Sequence, residues 1–166
     1  MLIAFSGLPG SGKTTLARSL ARTLQATYLR IDTIEDALLA DDGAAFVDRG
    51  AGYCIAYAIA EDNLKMGRIV ISDSVNPNGI TRDAWRDVAQ RAGVTIIDVL
   101  VVCSDAAQHK KRVEARASGT RGSFWFEVLN RKFEASNDKV LVIETANRTE
   151  EQCLADLECR LQAQMR

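Results

Sequence analysis

Membrane-spanning runs, paired cysteines and a surplus of one charge are all missing from this 166-residue chain. No apolar stretch reaches the eighteen or so residues a span needs, and the chain does not open on a charged segment leading into a long apolar one. A cytoplasmic protein without a membrane partner is therefore expected. Lys and Arg number 21 against 22 Asp and Glu, for a formal net charge of −1. Polynucleotide binders usually carry a basic field, so nucleic acid is disfavoured as a partner, though not excluded. Cys54, Cys103, Cys153 and Cys159 form no C-x-x-C pair, which argues against a metal site and for buried free thiols in a reducing compartment. Neither a repeat nor a low-complexity tract divides the chain. Its length suits one domain over 1–166, burying roughly 70% of its unfolded surface. The pattern leaves the oligomeric state open.

What is present begins at "GLPGSGKTTLA", residues 7–17, directly after the apolar run "MLIAF" and a serine. Gly7, Gly12, Lys13 and Thr14 fit the spacing G-x-x-x-x-G-K-[ST]. These glycines and Gly10 can take backbone angles closed to other residues, so that successive amides turn inward around an anion. The positive end of the following helix adds to the same point. Lys13 then meets the β and γ phosphates, and the Thr14 hydroxyl suits Mg²⁺. The context agrees: "LIAF" reads as a buried strand, and Leu16, Leu20 and Leu24 recur at i, i+4, i+8 on one helical face. At average glycine usage a chance match in a chain of this length is on the order of one per cent, which sets aside a loop that binds nothing.

Strands are expected at Leu2–Phe5, Thr27–Ile31, Ile69–Ser72, Thr95–Val102 and Val140–Ile143, with helical pattern between them. Such alternation predicts an α/β domain with a parallel sheet covered on both faces and ligands at the carboxyl ends of the strands. Two of those ends deliver Asp32 and Asp73 to the rim that holds the phosphate loop. Asp73 follows an apolar strand as a metal-binding carboxylate would, with an Asx turn into "SVNPNG" as the competing reading. Asp32, directly before "TIEDALL", is equally well placed as a helix N-cap. The helical stretch from Thr33 to Met66 breaks near Gly43, and "ITRDAWRDVAQRAG" closes at Gly93.

In "SDAAQHKKRVEARASGTRGS", Ser104 or Asp105 caps a helix, and Arg112 and Arg116 share one face of it ahead of a flexible polar segment at 118–123. Paired arginines in that place suit a lid, about 112–123, that closes over a nucleotide and neutralises a transferring phosphoryl group. A solvated basic face is the alternative. His109, the only histidine, is expected to be exposed and inert. Tyr53 and Tyr57, one turn apart, are candidates for an acceptor pocket, with core packing expected for at least one of them.

Taken together, "GLPGSGKTTLA", "YLRID", "VISDSVNPNGITRDAWRDVAQRAG" and "CSDAAQHKKRVEARASG" resemble small bacterial kinases of the P-loop superfamily over residues 1 to about 145. Relatives of that group are the kinase domain of phage polynucleotide kinase, chloramphenicol phosphotransferase and the zeta toxins. The resemblance implies a three-layer P-loop NTPase fold, nucleoside-kinase-like with a short lid, whose five-stranded parallel sheet is ordered 2-3-1-4-5. It implies ATP and Mg²⁺: the nucleotide on Gly7, Gly10, Ser11, Gly12, Lys13, Thr14 and Thr15, the metal on Thr14, and Asp73 as an acidic residue that serves the metal or the acceptor side. Asp32 falls where the family's catalytic base receives an acceptor hydroxyl, and Lys13, Arg112 and Arg116 where cations stabilise the spreading charge.

One departure bears on the acceptor. The polynucleotide kinase places an arginine three residues after its catalytic aspartate to hold a phosphate of the acceptor, and that position here is Glu35. With Asp36, Asp41, Asp42 and Asp48 nearby, the local sign favours a neutral or cationic small molecule bearing a hydroxyl. A solvated acidic helix face accounts for the same residues. ATP-dependent phosphotransfer to a small-molecule hydroxyl is thus the expected activity, with a polynucleotide or nucleoside 5′-hydroxyl kinase as the alternative. A GTPase switch would carry N-K-x-D and D-x-x-G elements, and neither occurs. An ATP-binding switch or module without transfer remains, and Asp32 with the arginine pair counts against it.

Overall fold

The computed structural model describes residues 1–40, 50–116, 125–134 and 139–164. Asp41, Asp42 and Asp48, the turn at Gly43 and the lid segment 118–123 lie outside the described residues. In chain order the elements are β1 (Leu2–Ser6), α1 (Lys13–Leu24), β2 (Thr27–Arg30), α2 (Ile31–Leu39), α3 (Ala51–Lys65), β3 (Val70–Asp73), α4 (Gly79–Arg91), β4 (Ile96–Val102), α5 (Ala106–Arg116), α6 (Trp125–Asn130), β5 (Leu141–Glu144) and α7 (Glu150–Gln164). The strands form one sheet in the order β2-β3-β1-β4-β5, every pairing parallel, which is the order the family resemblance implies.

All five residues of β1 are buried, because a central parallel strand is covered on both faces. Its side chains alternate between the two halves of the core. Ile3 and Phe5 join Leu16, Leu20, Ile71, Val99 and Leu157 under α1 and α7. Leu2 and Ala4 join Ala56, Ala60, Trp85 and Val88 under α3 and α4. The apolar stripe of α1 turns Leu16 and Leu20 inward at 2% and 0% exposure, each such side chain contributing about 1.5–3 kcal/mol.

Two strand ends differ from expectation in a way that matters for the site. β2 stops at Arg30, whose extended angles (φ −109°, ψ 118°) make it the residue flanking α2, and no side chain caps that helix. Asp32 therefore stands inside the first turn and is not the N-cap, since a cap needs the extended backbone that Arg30 has. β3 runs one residue further, to Asp73, whose register sets it opposite Phe5 on one side and Arg30 on the other. The cysteines also depart from expectation: Cys153 is buried, Cys103 partly so, and Cys54 and Cys159 are exposed. Among the described residues no helix is long and apolar enough to cross a membrane.

Candidate active site

The loop between β1 and α1 is built around left-handed glycines. Gly7, Gly10 and Gly12 have φ of +143°, +83° and +98°. A Cβ on Gly7 would lie 2.4 Å from the Val101 carbonyl oxygen, and one on Gly10 would lie 2.6 Å from Val113 Cγ2. Inside the cradle the Ser11 Oγ is buried without a hydrogen-bond partner among the described residues, and Lys13 is only 6% exposed. Helix α1 has no side-chain cap and no acid in its first turn, so its dipole faces the cradle uncancelled. A buried orphan hydroxyl, a buried ammonium and an uncapped helix N-terminus fit the phosphates of ATP.

Three ties hold the loop from outside. The Gly7 N–H donates to the Val75 carbonyl at 3.2 Å, Thr145 Oγ1 donates to the Ser11 carbonyl at 2.7 Å, and His109 Nε2 donates to the Pro9 carbonyl at 2.7 Å. His109 is thus a buried residue, 7% exposed, with its ring edge-on to Trp125 at 5.1 Å, and not the exposed one expected. The helical period explains the difference, because His109 and Val113 share the inward face of α5 and both press on Gly10. Asp105 provides the cap of α5 through its carboxylate and the Gln108 N–H at 2.9 Å.

On the β4–β5 side of the loop a cavity of about 370 Å³ opens between α1, α5 and the turn after β5, lined by Gly12, Thr15, Leu16, Arg112, Thr145 and Cys153 among others. Its size suits a nucleoside. Arg112 donates from Nη1 to Thr145 Oγ1 (2.8 Å) and from Nη2 to the Thr145 carbonyl (3.1 Å) and Gln108 Oε1 (3.3 Å). Arg116 closes the same helix one turn on; its side chain lies outside the described residues.

The turn after β5 is organised by Glu144. Its Oε1 accepts the backbone N–H groups of Ser104 (3.1 Å), Thr145 (2.8 Å) and Ala146 (2.7 Å). Burial pushes this carboxyl up, but the backbone donors outweigh it and hold it below the ordinary glutamate value. A depressed carboxyl stabilises the fold above the unfolded pKa, about 4.3, and that contribution disappears as pH falls through the lower folded value. Glu144→Gln should therefore lower stability at neutral pH and flatten the loss below about pH 4.3. Urea midpoints measured across pH check this, and an acid limb as steep as wild type would remove Glu144 from that role.

On the opposite, β2–β3 side stand the carboxylates. Asp73 is 2% exposed and its Oδ2 accepts the Tyr28 hydroxyl at 2.6 Å. Arg30 Nη2 donates to Asp32 Oδ2 at 2.6 Å, and Arg30 Nε lies 3.7 Å from Asp73 Oδ2. The Thr14 hydroxyl and the buried Asp73 carboxylate are hard oxygen donors that suit Mg²⁺. Burial pushes the Tyr53 phenol up, Ser74 and Asn76 pull it back, and the Glu35 and Asp32 carboxylates add to the rise. A Cβ on Gly52, the residue beside Tyr53, would lie 2.6 Å from Glu35 Cγ. Tyr57 instead packs edge-on against Trp85 at 4.6 Å and donates to the Thr81 carbonyl at 3.3 Å.

The structural roles of several residues here escaped the reading of the sequence. Asn76, 1% exposed, donates from Nδ2 to the Phe5 carbonyl (2.9 Å) and accepts from Trp85 Nε1 (3.2 Å), pinning the loop after β3 to β1. Thr145, in the turn after β5, gave no signal of its own. Tyr28 and Arg30 carried one: they lie two apart on a strand and so share a face, which the sheet order turns toward Asp73.

An anion cradle at the end of the middle strand, a nucleoside-sized cavity on one side and paired carboxylates on the other define a P-loop protein of kinase architecture. The chain belongs to the AAA domain family (AAA_33), whose match covers residues 2–140. A protein of Aeropyrum pernix named "Probable adenylyl-sulfate kinase" is 31% identical over 114 residues, 63% of this chain and 60% of that protein. The chain thus spans less than two thirds of that relative's length. An adenylyl-sulfate kinase of Shewanella baltica is 29% identical over 88% of this chain and 74% of its own. The APS kinase CysC of Mycobacterium tuberculosis, solved with AMPPNP and APS, shares the fold with a TM-score of 0.72 at 20% identity, covering 97% of this chain and 96% of that one.

Proposed function

We propose that this protein transfers the γ-phosphate of ATP to a hydroxyl group of a small neutral or cationic molecule. The observation that carries the reading is the register that sets Phe5, Arg30 and Asp73 side by side, so that the phosphate loop and Asp32 stand over one stretch of the sheet rim. Gly7, Gly10, Ser11, Gly12, Lys13, Thr14 and Thr15 hold the phosphates. Mg²⁺, held by Thr14 and Asp73, neutralises phosphate charge when bound. Asp32 accepts a hydrogen bond from the acceptor hydroxyl and turns its oxygen toward the γ-phosphorus, while Lys13, Arg112 and Arg116 stabilise the charge spreading over the transferring group. Tyr53 and Glu35 flank the acceptor, and Glu35 repels an anionic one.

The names of the two sequence relatives favour a second reading, an acceptor like adenylyl sulfate. One experiment separates the two. ATP consumption by wild type is measured alone and with adenylyl sulfate, oligonucleotide 5′-hydroxyls, nucleosides, aminoglycosides, phenicols, sugars and nucleotide sugars. A neutral or cationic acceptor should stimulate turnover, and Asp32→Ala should lower that stimulated rate about a hundred-fold. Stimulation by adenylyl sulfate alone would replace the acceptor class. Hydrolysis that neither an acceptor nor Asp32→Ala alters would leave an ATP-binding switch.

A further inference from the structure

Arg30 spans the two carboxylates of the site in an uneven way. Its Nη2 makes a 2.6 Å charge-assisted hydrogen bond to Asp32 Oδ2. Its Nε is buried without a hydrogen-bond partner among the described residues, 3.7 Å from Asp73 Oδ2, about half an ångström beyond a hydrogen bond. Asp32 is half exposed and Asp73 is buried, at 48% and 1% side-chain exposure. One guanidinium therefore grips the carboxylate that water can reach and leaves a donor unsatisfied toward the one that water cannot. Release of the guanidinium from Asp32 would uncover that carboxylate, and Nε has no hydrogen bond to lose in the move.

We infer that Arg30 is a positioning residue that holds Asp32 turned toward the guanidinium until an acceptor arrives, so that this half-exposed carboxylate is not free to line up a water on bound ATP. The inference rests on the reading of Asp32 as the group that orients the attacking hydroxyl. Unmasked, Asp32 would orient a water just as well. The water oxygen would form a bond to the γ-phosphorus, the bond from that phosphorus to the β,γ-bridging oxygen would break, and the water proton would pass to Asp32 and on to solvent, yielding ADP and phosphate. With the guanidinium on Asp32 Oδ2 that oxygen is occupied. An acceptor bound in the pocket can compete for it where a transient water cannot.

The test needs no acceptor. ADP release from Mg·ATP is measured for wild type, Arg30→Gln, Arg30→Lys and the double variant Arg30→Gln/Asp32→Asn, with AMPPNP affinity and thermal midpoint as checks on folding. Arg30→Gln should raise acceptor-independent hydrolysis about tenfold, the factor carried by one charge-assisted hydrogen bond. Arg30→Lys keeps the charge but cannot fork, so it should fall between wild type and glutamine. The double variant should lose that gain, an outcome that general loosening of the site would not produce. Should Arg30→Gln not fold, a raised rate in the lysine variant carries the test. Unchanged or lower hydrolysis in folded Arg30 variants overturns the guard, as does a raised rate that survives Asp32→Asn. The acceptor panel keeps the two readings apart: Asp32-dependent transfer with no gain on Arg30→Gln removes the guard alone, whereas Asp32-independent hydrolysis throughout removes both.

Discussion

Replacing Arg112 by alanine should lower kcat for ATP-dependent transfer about a thousand-fold, the scale on which an arginine supplied within the same chain stabilises phosphoryl transfer. The guanidinium lines the nucleoside-sized cavity, held by Thr145 and Gln108, so in the proposed reaction it needs little further ordering. Because the same side chain also steadies Thr145, which in turn holds the Ser11 carbonyl, some loss of nucleotide affinity should accompany the change, no more than about tenfold if one neutral hydrogen bond is at stake. Arg112→Lys should not restore turnover, since an ammonium cannot reproduce the forked contact. Steady-state kinetics with AMPPNP titration separates the two effects. A near-normal kcat would leave Arg112 as a structural tie and move the transition-state role to Lys13 and Arg116.

Gly7→Ala should be the most damaging small substitution in the phosphate loop. The backbone angle there, φ +143°, is one that side chains with a Cβ rarely adopt, and the added methyl would meet the Val101 carbonyl at 2.4 Å. That neighbour is backbone of the central sheet and cannot swing away. Strain of this kind costs about 1–3 kcal/mol before the collision is counted. A total near 3 kcal/mol would lower the thermal midpoint by roughly 6–12 °C in a chain of this size. Relief by shifting the loop would instead pull the Gly7 N–H from Val75, tilting the cradle away from its anion. Thermal unfolding with and without AMPPNP reads both: loss of stability without ligand, and a smaller ligand-induced rise. A variant with wild-type values in both measurements would show that the loop relaxes freely.

How far the sequence could be read follows from what each signal depends on. The phosphate loop was legible because its chemistry is local: glycines at fixed spacing, a lysine, a hydroxyl and an apolar strand ahead of them. The alternation of strands and helices was legible for the same reason, to within a residue at most ends. Spacing reported only the class of sheet; its order came from the resemblance to known kinases. What stayed hidden depends on pairs far apart in the chain. Tyr28 meets Asp73 across 45 positions, Asn76 meets Phe5 across 71, and Thr145 meets Ser11 across 134. His109 was misjudged because its charged neighbour in sequence, Lys110, suggested an outward face. The helical step to Val113 shows the inward one.

The place of β1 has a consequence for how the chain acquires its structure. The first of the five strands lies in the middle of the sheet, and its two partners begin far along the chain: Leu2 pairs with Val70 on one side and with Ile96 on the other. During synthesis, nothing can flank it until β3 has left the ribosome, and its second edge waits for β4. Until then an apolar strand with two open edges must be kept from pairing wrongly. Closing such long loops before any contact rewards them makes folding slow, and an open apolar strand is prone to aggregate. The arrangement that sets the phosphate loop at the middle of the sheet thus also delays closure of that sheet until β4 has been made.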